Sequence, residues 1–317
     1  MMSSLTINAQ DVYKKNVKLM AVDFQFAVVA NSKKEGEHFL QIAIDEVKRV
    51  EALISSWDSS SQTSLINKNS GVKAIKIDSE LFNLIKRSKH ISKLTDGFFD
   101  ISFASIDKIW YFHKPIVTIP DSISIKKSIG YINYKNIILD EKTQTVFLKN
   151  EGMKIGFGAI GKGYVAEKVK EKLNSIGVTA GLINASGDIS CWGDHPITKT
   201  WKVAIINPDK TKNDLASFDL YNSSVVTSGN YENYITINNK RYSHIINPKT
   251  GWPSQGIKSV TVFSKNAELA DALSTTVFVM GKDKGLNLIN QLKNIECLIV
   301  DDNNNMHYSK SLKTKFN

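Results

Sequence analysis

The chain has 317 residues, 42% of them hydrophobic and 23% charged, enough to bury a sizeable core in one large domain or two lobes and too apolar for a disordered chain. Its 41 Lys and Arg against 31 Asp and Glu give a net charge of +10, which favours anionic partners. The lysines are scattered beside Asn and Ile and form no phosphate-tracking stripe, so nucleic acid is not an expected partner, and two distant cysteines, Cys191 and Cys297, offer neither a disulfide framework nor a zinc site.

From Met1 to Ala30 the chain carries Asp11, Lys14, Lys15, Lys18 and Asp23, so the apolar core of a signal peptide is missing and a cytoplasmic location is expected. The longest apolar run, Phe26 to Ala30, is strand-sized, and no membrane span is expected. Residues 1–18 read as a polar leader, 19–310 as a single domain and 311–317 as a tail. FQFAVVA (24–30), rich in β-branched and aromatic residues, reads as a strand. In 38–56, Phe39, Leu40, Ala43, Val47, Val50 and Ile54 recur at three- and four-residue steps and predict a helix, which dissolves into the Ser-rich loop around Trp57. Residues 79–94 predict a second helix with Ser79 as its N-cap, ended by Thr95-Asp96-Gly97. Residues 107–128, with two prolines and little periodicity, read as a long loop or insertion, followed by strands at 136–140 and 145–148. The second half alternates strands (179–185, 201–206, 224–228, 242–246, 258–263 and 296–300) with helices near 267–280 and 284–293. Consecutive strands without intervening helices predict an α+β fold with antiparallel pairing.

Three segments could carry chemistry. GFGAIGKGY (156–164) is a glycine-rich turn into a helix, where backbone amides, the helix N-terminus and Lys162 suit an anion; a turn that merely packs is equally compatible with it. In NAELADALSTT (266–276), Asp271 and Thr275 lie one helical turn apart and supply two hard oxygen ligands suited to magnesium, although an Asp favoured by the helix dipole explains the spacing as well. In RYSHIINPKTGWP (241–253), His244 stands at a strand end before a rigid turn, a place for a general base, although a structural His explains the pattern as well. TDGFFD (95–100), NASGDIS (184–190) and TSGNYENY (227–234) each read in isolation as ordinary β-turns.

Taken in order, Met20, SSWDSSSQTSLIN, TDGFFD, AIGKGY, SGD, TSGNYENY, SHIINPKTGWP and SVTV with ADALST resemble the ApbE family of FAD:protein FMN transferases, from about Met20 to about Ile299. The resemblance implies a T-fold-like α+β architecture, antiparallel sheets flanked by helices, with two lobes around a flavin cleft. It implies Mg²⁺ held by Asp271, Thr275 and the carbonyl of Ala159, and His244 as the base. FAD, as substrate, would lie against Met20, Trp57, Phe98, Phe99, Asp100, Gly156, Lys162, Ile246 and Ser274. The partner implied is an acceptor protein with a Ser/Thr flavinylation motif, and a homodimer is a further expectation. Two alternatives keep the site: an FAD pyrophosphatase releasing FMN and AMP, and a non-catalytic FAD-binding protein. Three positions depart from the family pattern: Gly156 stands where an acidic residue is common, Met20-Ala21-Val22 replaces a Met-Gly-Thr entry, and Trp57 replaces Tyr or a small polar residue.

Overall fold

The computed structural model describes residues 10–106, 109–110, 112, 119–205, 207, 215–231, 233–238 and 240–316. Much of the expected leader is a strand: β1 (Asp11–Leu19) pairs antiparallel with β2 (Val22–Ala30) in a register that sets Leu19 opposite Val22. Met20 and Ala21 form the two-residue turn between them, with φ of 49° and 62°. Both central residues of such a turn need positive φ, which Gly and Asn tolerate and Ala does not. Ala21→Gly is therefore expected to raise stability by about 1 kcal/mol in denaturant unfolding.

Helix α1 (Lys33–Ile54) begins earlier than its apolar stripe suggests, because the Ser32 hydroxyl accepts from the Glu35 N–H at 3.3 Å and caps it. Then come α2 (Gln62–Lys68), β3 (Ile75–Lys76) and α3 (Ser79–Leu94). Asp78, not Ser79, caps α3: its carboxylate accepts from the Glu80 N–H at 2.7 Å. The expected loop 107–128, of which 107, 108, 111 and 113–118 lie outside the described residues, ends in a helix, α4 (Ser122–Ile129), capped by Asp121. β4 (Ile137–Asp140) and β5 (Thr145–Leu148) complete a small sheet in the order β3-β5-β4. Helix α5 (Gly161–Ser175) leads into β6 (Gly181–Ala185) and β7 (Asp188–Trp192), β7 being a strand where a turn was expected. β8 (Trp201–Ile205) pairs with β9 (Ala216–Leu220), and β10 (Ser224–Gly229) precedes the small pair β11 (Tyr234–Ile237) and β12 (Lys240–Ser243). The chain closes through β13 (Ile257–Ser264), α6 (Ala267–Met280), α7 (Lys282–Ile289), β14 (Glu296–Asp301), β15 (Met306–Tyr308) and α8 (Lys310–Phe316), which takes up most of the expected tail.

The main sheet has eight strands in the order β1-β2-β6-β7-β10-β13-β14-β15, antiparallel throughout. One face buries Phe24, Phe26 and Val28 under α1 and α5, and Val226, Val260 and Ile299 under α6. The other buries Ala27, Val225 and Leu298 against Trp201, Val203 and Leu220 of the β8–β9 ribbon and Leu312 of α8. Lysines 14, 15 and 18 on edge strand β1 keep that edge from pairing with another chain. Among the described residues no helix is long and apolar enough to cross a membrane.

Candidate active site

Three turns gather at one end of the main sheet. The Met20–Ala21 turn joins β1 to β2, and Ser186–Gly187, with φ of 54° and 99°, joins β6 to β7 so that Ala185 faces Asp188. The Ser186 N–H donates to the Asp23 carbonyl at 2.9 Å, locking the second turn to the first hairpin. β10, antiparallel to β7, runs out at this end with Ser228 and Gly229.

Helices α5 and α6 lie antiparallel across the sheet and are tied twice. The Asp271 carboxylate accepts from the Gly163 N–H at 2.9 Å, and the Glu167 carboxylate accepts from the Ala267 N–H at 2.7 Å. Gly163 permits the approach: a Cβ there would stand 2.7 Å from the Asp271 Cβ and run into the Ala267 carbonyl. Unlike α1, α3 and α6, helix α5 has an N-cap residue, Ile160, whose side chain caps nothing; the Gly161 N–H goes to the Phe157 carbonyl at 2.6 Å and the Gly163 N–H to Asp271.

Asp271 is 3% exposed, and Thr275 follows it by one turn on the same side of α6. Ser228 reaches both neighbouring hydroxyls, Ser274 at 2.8 Å and Thr275 at 3.2 Å, and Ser274 donates to the Asp271 carbonyl at 3.0 Å. The Gly163 N–H, which a helix continued backwards would give to the Ala159 carbonyl, goes to Asp271 instead. A carboxylate, a hydroxyl and a backbone carbonyl suit a hard divalent cation that keeps some water and takes phosphate oxygens, so the residues present fit Mg²⁺. Among the described residues no group of three or more His, Cys, Asp and Glu is placed to hold a metal.

Lys162 forms an ion pair with Asp188 at 3.0 Å. Asp188 is fully buried; burial pushes its carboxyl up, while the Lys162 charge and the Thr227 backbone N–H pull against that. His244 lies one residue past β12, not within a strand as expected. Its backbone N–H and Nδ1 both sit 3.0 Å from the Asn233 carbonyl, and since a carbonyl only accepts, Nδ1 carries a proton and the neutral ring holds its lone pair on Nε2. Phe112 meets the His244 ring edge-on at 6.3 Å, and Trp110 donates from Nε1 to the Gly251 carbonyl at 2.8 Å, so the segment read as an insertion supports this turn. On its other side Lys249 pairs with Asp96 at 2.6 Å and lies 4.3 Å over the Phe98 ring, joining the TDGFFD turn to the turn after His244.

The other residues expected beside FAD take the following places in the fold. Phe99, 2% exposed, belongs to the core. Asp100 caps the 3-10 turn 101–105, accepting from the Ser102 N–H and hydroxyl at 2.8 and 2.6 Å and the Tyr134 N–H at 2.7 Å; burial pushes its carboxyl up and these donors pull it down. Met20 is half-buried in its turn, and Ile246 is buried and bridged to Pro253. Trp57 is 92% exposed, and its neighbour Ser56 places Oγ 3.5 Å from where a Gly156 Cβ would stand, with Ala104 Cβ at 3.0 Å. The missing acid at 156 thus coincides with a close packing of Ser56 and Ala104 on that backbone. Ser228 and Asp188 were seen only as turn residues; their signal was the polar side chain next to glycine at a strand end. Of TSGNYENY, Glu232 lies outside the described residues. A cavity of about 520 Å³ on the other face of the sheet, lined by Lys14, Gln25, His195 and Lys202, stands apart from all these motifs.

The chain belongs to the ApbE family, whose model matches residues 18–299. A FAD:protein FMN transferase of Klebsiella pneumoniae is 29% identical over 307 residues, covering 96% of this chain and 94% of that protein. One of Treponema pallidum is 27% identical over 277 residues, covering 81% and 76%. Among solved structures, the ApbE protein of Thermotoga maritima superposes with a TM-score of 0.88 at 27% identity, covering 96% of this chain and 99% of that one. The flavinyl transferase ApbE of Pseudomonas stutzeri, at 22% identity, shares the fold with a TM-score of 0.85 and 98% of each chain covered.

Proposed function

We propose that this protein cleaves FAD at its pyrophosphate and transfers the FMN half to a Ser or Thr hydroxyl of an acceptor flavoprotein, releasing AMP, with Mg²⁺ as cofactor. The observation that carries the reading is that Asp271, with Thr275 one turn further along α6, is tied to the first turn of α5 beside Lys162, in a chain whose relatives are named FAD:protein FMN transferases. In the reaction the acceptor oxygen attacks the FMN phosphorus, the bond from that phosphorus to the bridging oxygen breaks, and AMP departs with the bridging oxygen. His244 Nε2 takes the hydroxyl proton, its ring held in the required tautomer by the Asn233 carbonyl. Lys162 binds the pyrophosphate and, with the positive end of the α5 dipole, balances the charge that grows on the leaving phosphate. Asp271, Thr275 and the Ala159 carbonyl would hold Mg²⁺, which supplies charge neutralisation and a template for the pyrophosphate. Transfer of this kind needs positioning and electrostatics more than covalent help, so a small set of side chains suffices.

The test is incubation with FAD, Mg²⁺ and an acceptor carrying a Ser/Thr flavinylation motif, followed by intact mass of the acceptor. A gain of one FMN less one water, with one AMP released, is expected. AMP and FMN without modified acceptor would make the protein a pyrophosphatase, and FAD left intact would make it a binding protein.

A further inference from the structure

Asp188 has no role in the chemistry above, yet its carboxylate is the only one on the first hairpins of the sheet to be fully buried among the described residues. It opens β7 directly after the Ser186–Gly187 turn, whose backbone is pinned to Asp23, so its position is set by the sheet and not by a mobile loop. The side chain is 1% exposed, whereas Lys162, 25% exposed, reaches 3.0 Å from it out of the first turn of α5. A buried carboxylate is costly unless a counter-ion holds it, and here the Lys162 ammonium 3.0 Å away is that counter-ion, while among the described residues neither Asp188 oxygen has a well-formed hydrogen bond. The long lysine stem would otherwise sample many rotamers at the mouth of the helix, and fixing it in advance removes that ordering cost from ligand binding.

We propose that Asp188 is the positioning residue of Lys162: it holds the ammonium at the start of α5, where the pyrophosphate of FAD would arrive, without touching substrate or metal itself. This inference rests on the reading of the site as a flavin transferase. It assigns to the Ser-Gly-Asp turn a function that its β-turn geometry alone does not require.

The experiment compares the full-length wild type, Asp188→Asn, Lys162→Met and the double variant, by thermal melting without ligand and by FAD titration followed through flavin fluorescence. Lys162→Met leaves a buried carboxylate without its counter-ion, so its melting temperature should fall by roughly 5 °C or more. The double variant, in which both charges are gone, should recover most of that loss. Asp188→Asn should weaken FAD binding about tenfold, the scale of a misplaced charge-assisted hydrogen bond. In the Lys162→Met background the same change should leave FAD affinity where Lys162→Met put it. Additive losses of affinity in the double variant, or wild-type affinity in Asp188→Asn, overturn the proposal. So does a double variant no more stable than Lys162→Met, a comparison that survives if Asp188→Asn alone fails to fold. Wild-type protein that shows no FAD binding would sink the transferase reading first and the positioning role with it, and this outcome is separate from the others.

Discussion

Asp271→Asn should melt within a few degrees of the wild type and lose FMN transfer by about 10³-fold, the rate equivalent of several kcal/mol of charge stabilisation. The amide oxygen of Asn can still accept the Gly163 N–H, so the tie between α5 and α6 persists while the anionic ligand disappears. Asp271→Ala removes both; it should lose transfer equally and in addition about 1–3 kcal/mol of stability, because a buried N–H is left without a partner. Thr275→Val should show a smaller fall in transfer, relieved by raising the Mg²⁺ concentration. Full transfer by a normally melting Asp271→Asn would reduce the carboxylate to a helix brace and remove the metal assignment.

His244→Asn is the second large effect. The variant keeps a polar side chain able to donate to the Asn233 carbonyl, so the turn and FAD affinity should change little. Transfer should drop by roughly 10²-fold or more, the usual scale for losing a positioned base. The wild-type rate should rise with pH through one ionisation, since only the deprotonated imidazole accepts the hydroxyl proton, and the variant should lack that step. Parallel loss of FAD binding and turnover would recast His244 as a binding or structural group.

The long helices were legible because apolar residues at three- and four-residue steps leave one trace whatever surrounds them. β1 was hidden for the opposite reason: DVYKKNVKL is an edge strand, and its lysines mask the alternation that a covered strand would show. β7 follows a two-residue turn so closely that SGD read as punctuation, although Asp188 to Trp192 are all buried. The cap of α3 was misplaced by one residue because Asp78 and Ser79 both satisfy the pattern, and only the backbone shows that Asp78 is extended. At the site, the order of motifs carried the resemblance, but it could not divide a side chain's hydrogen bonds between fold and substrate. Asp100 illustrates this: both its oxygens are engaged with Ser102 and Tyr134. Nor could spacing show that Ser228 meets Ser274 and Thr275, which lie 46 and 47 residues away.

The strand order has a kinetic meaning. β2 pairs with β6, so Phe24 stands opposite Ala185, and the Lys162–Asp188 pair lies in the part of the sheet that this distant pairing completes. Asp271 and Thr275 come from later still in the chain, on α6, which packs on α5 and on β10 and β13. Non-local pairings of this kind fold slowly, since the entropy of closing a long loop is lost before any contact rewards it. A nascent or truncated chain that ends before α6 would therefore present FAD with neither Asp271 nor Thr275, and competence for transfer arrives only with the complete sheet.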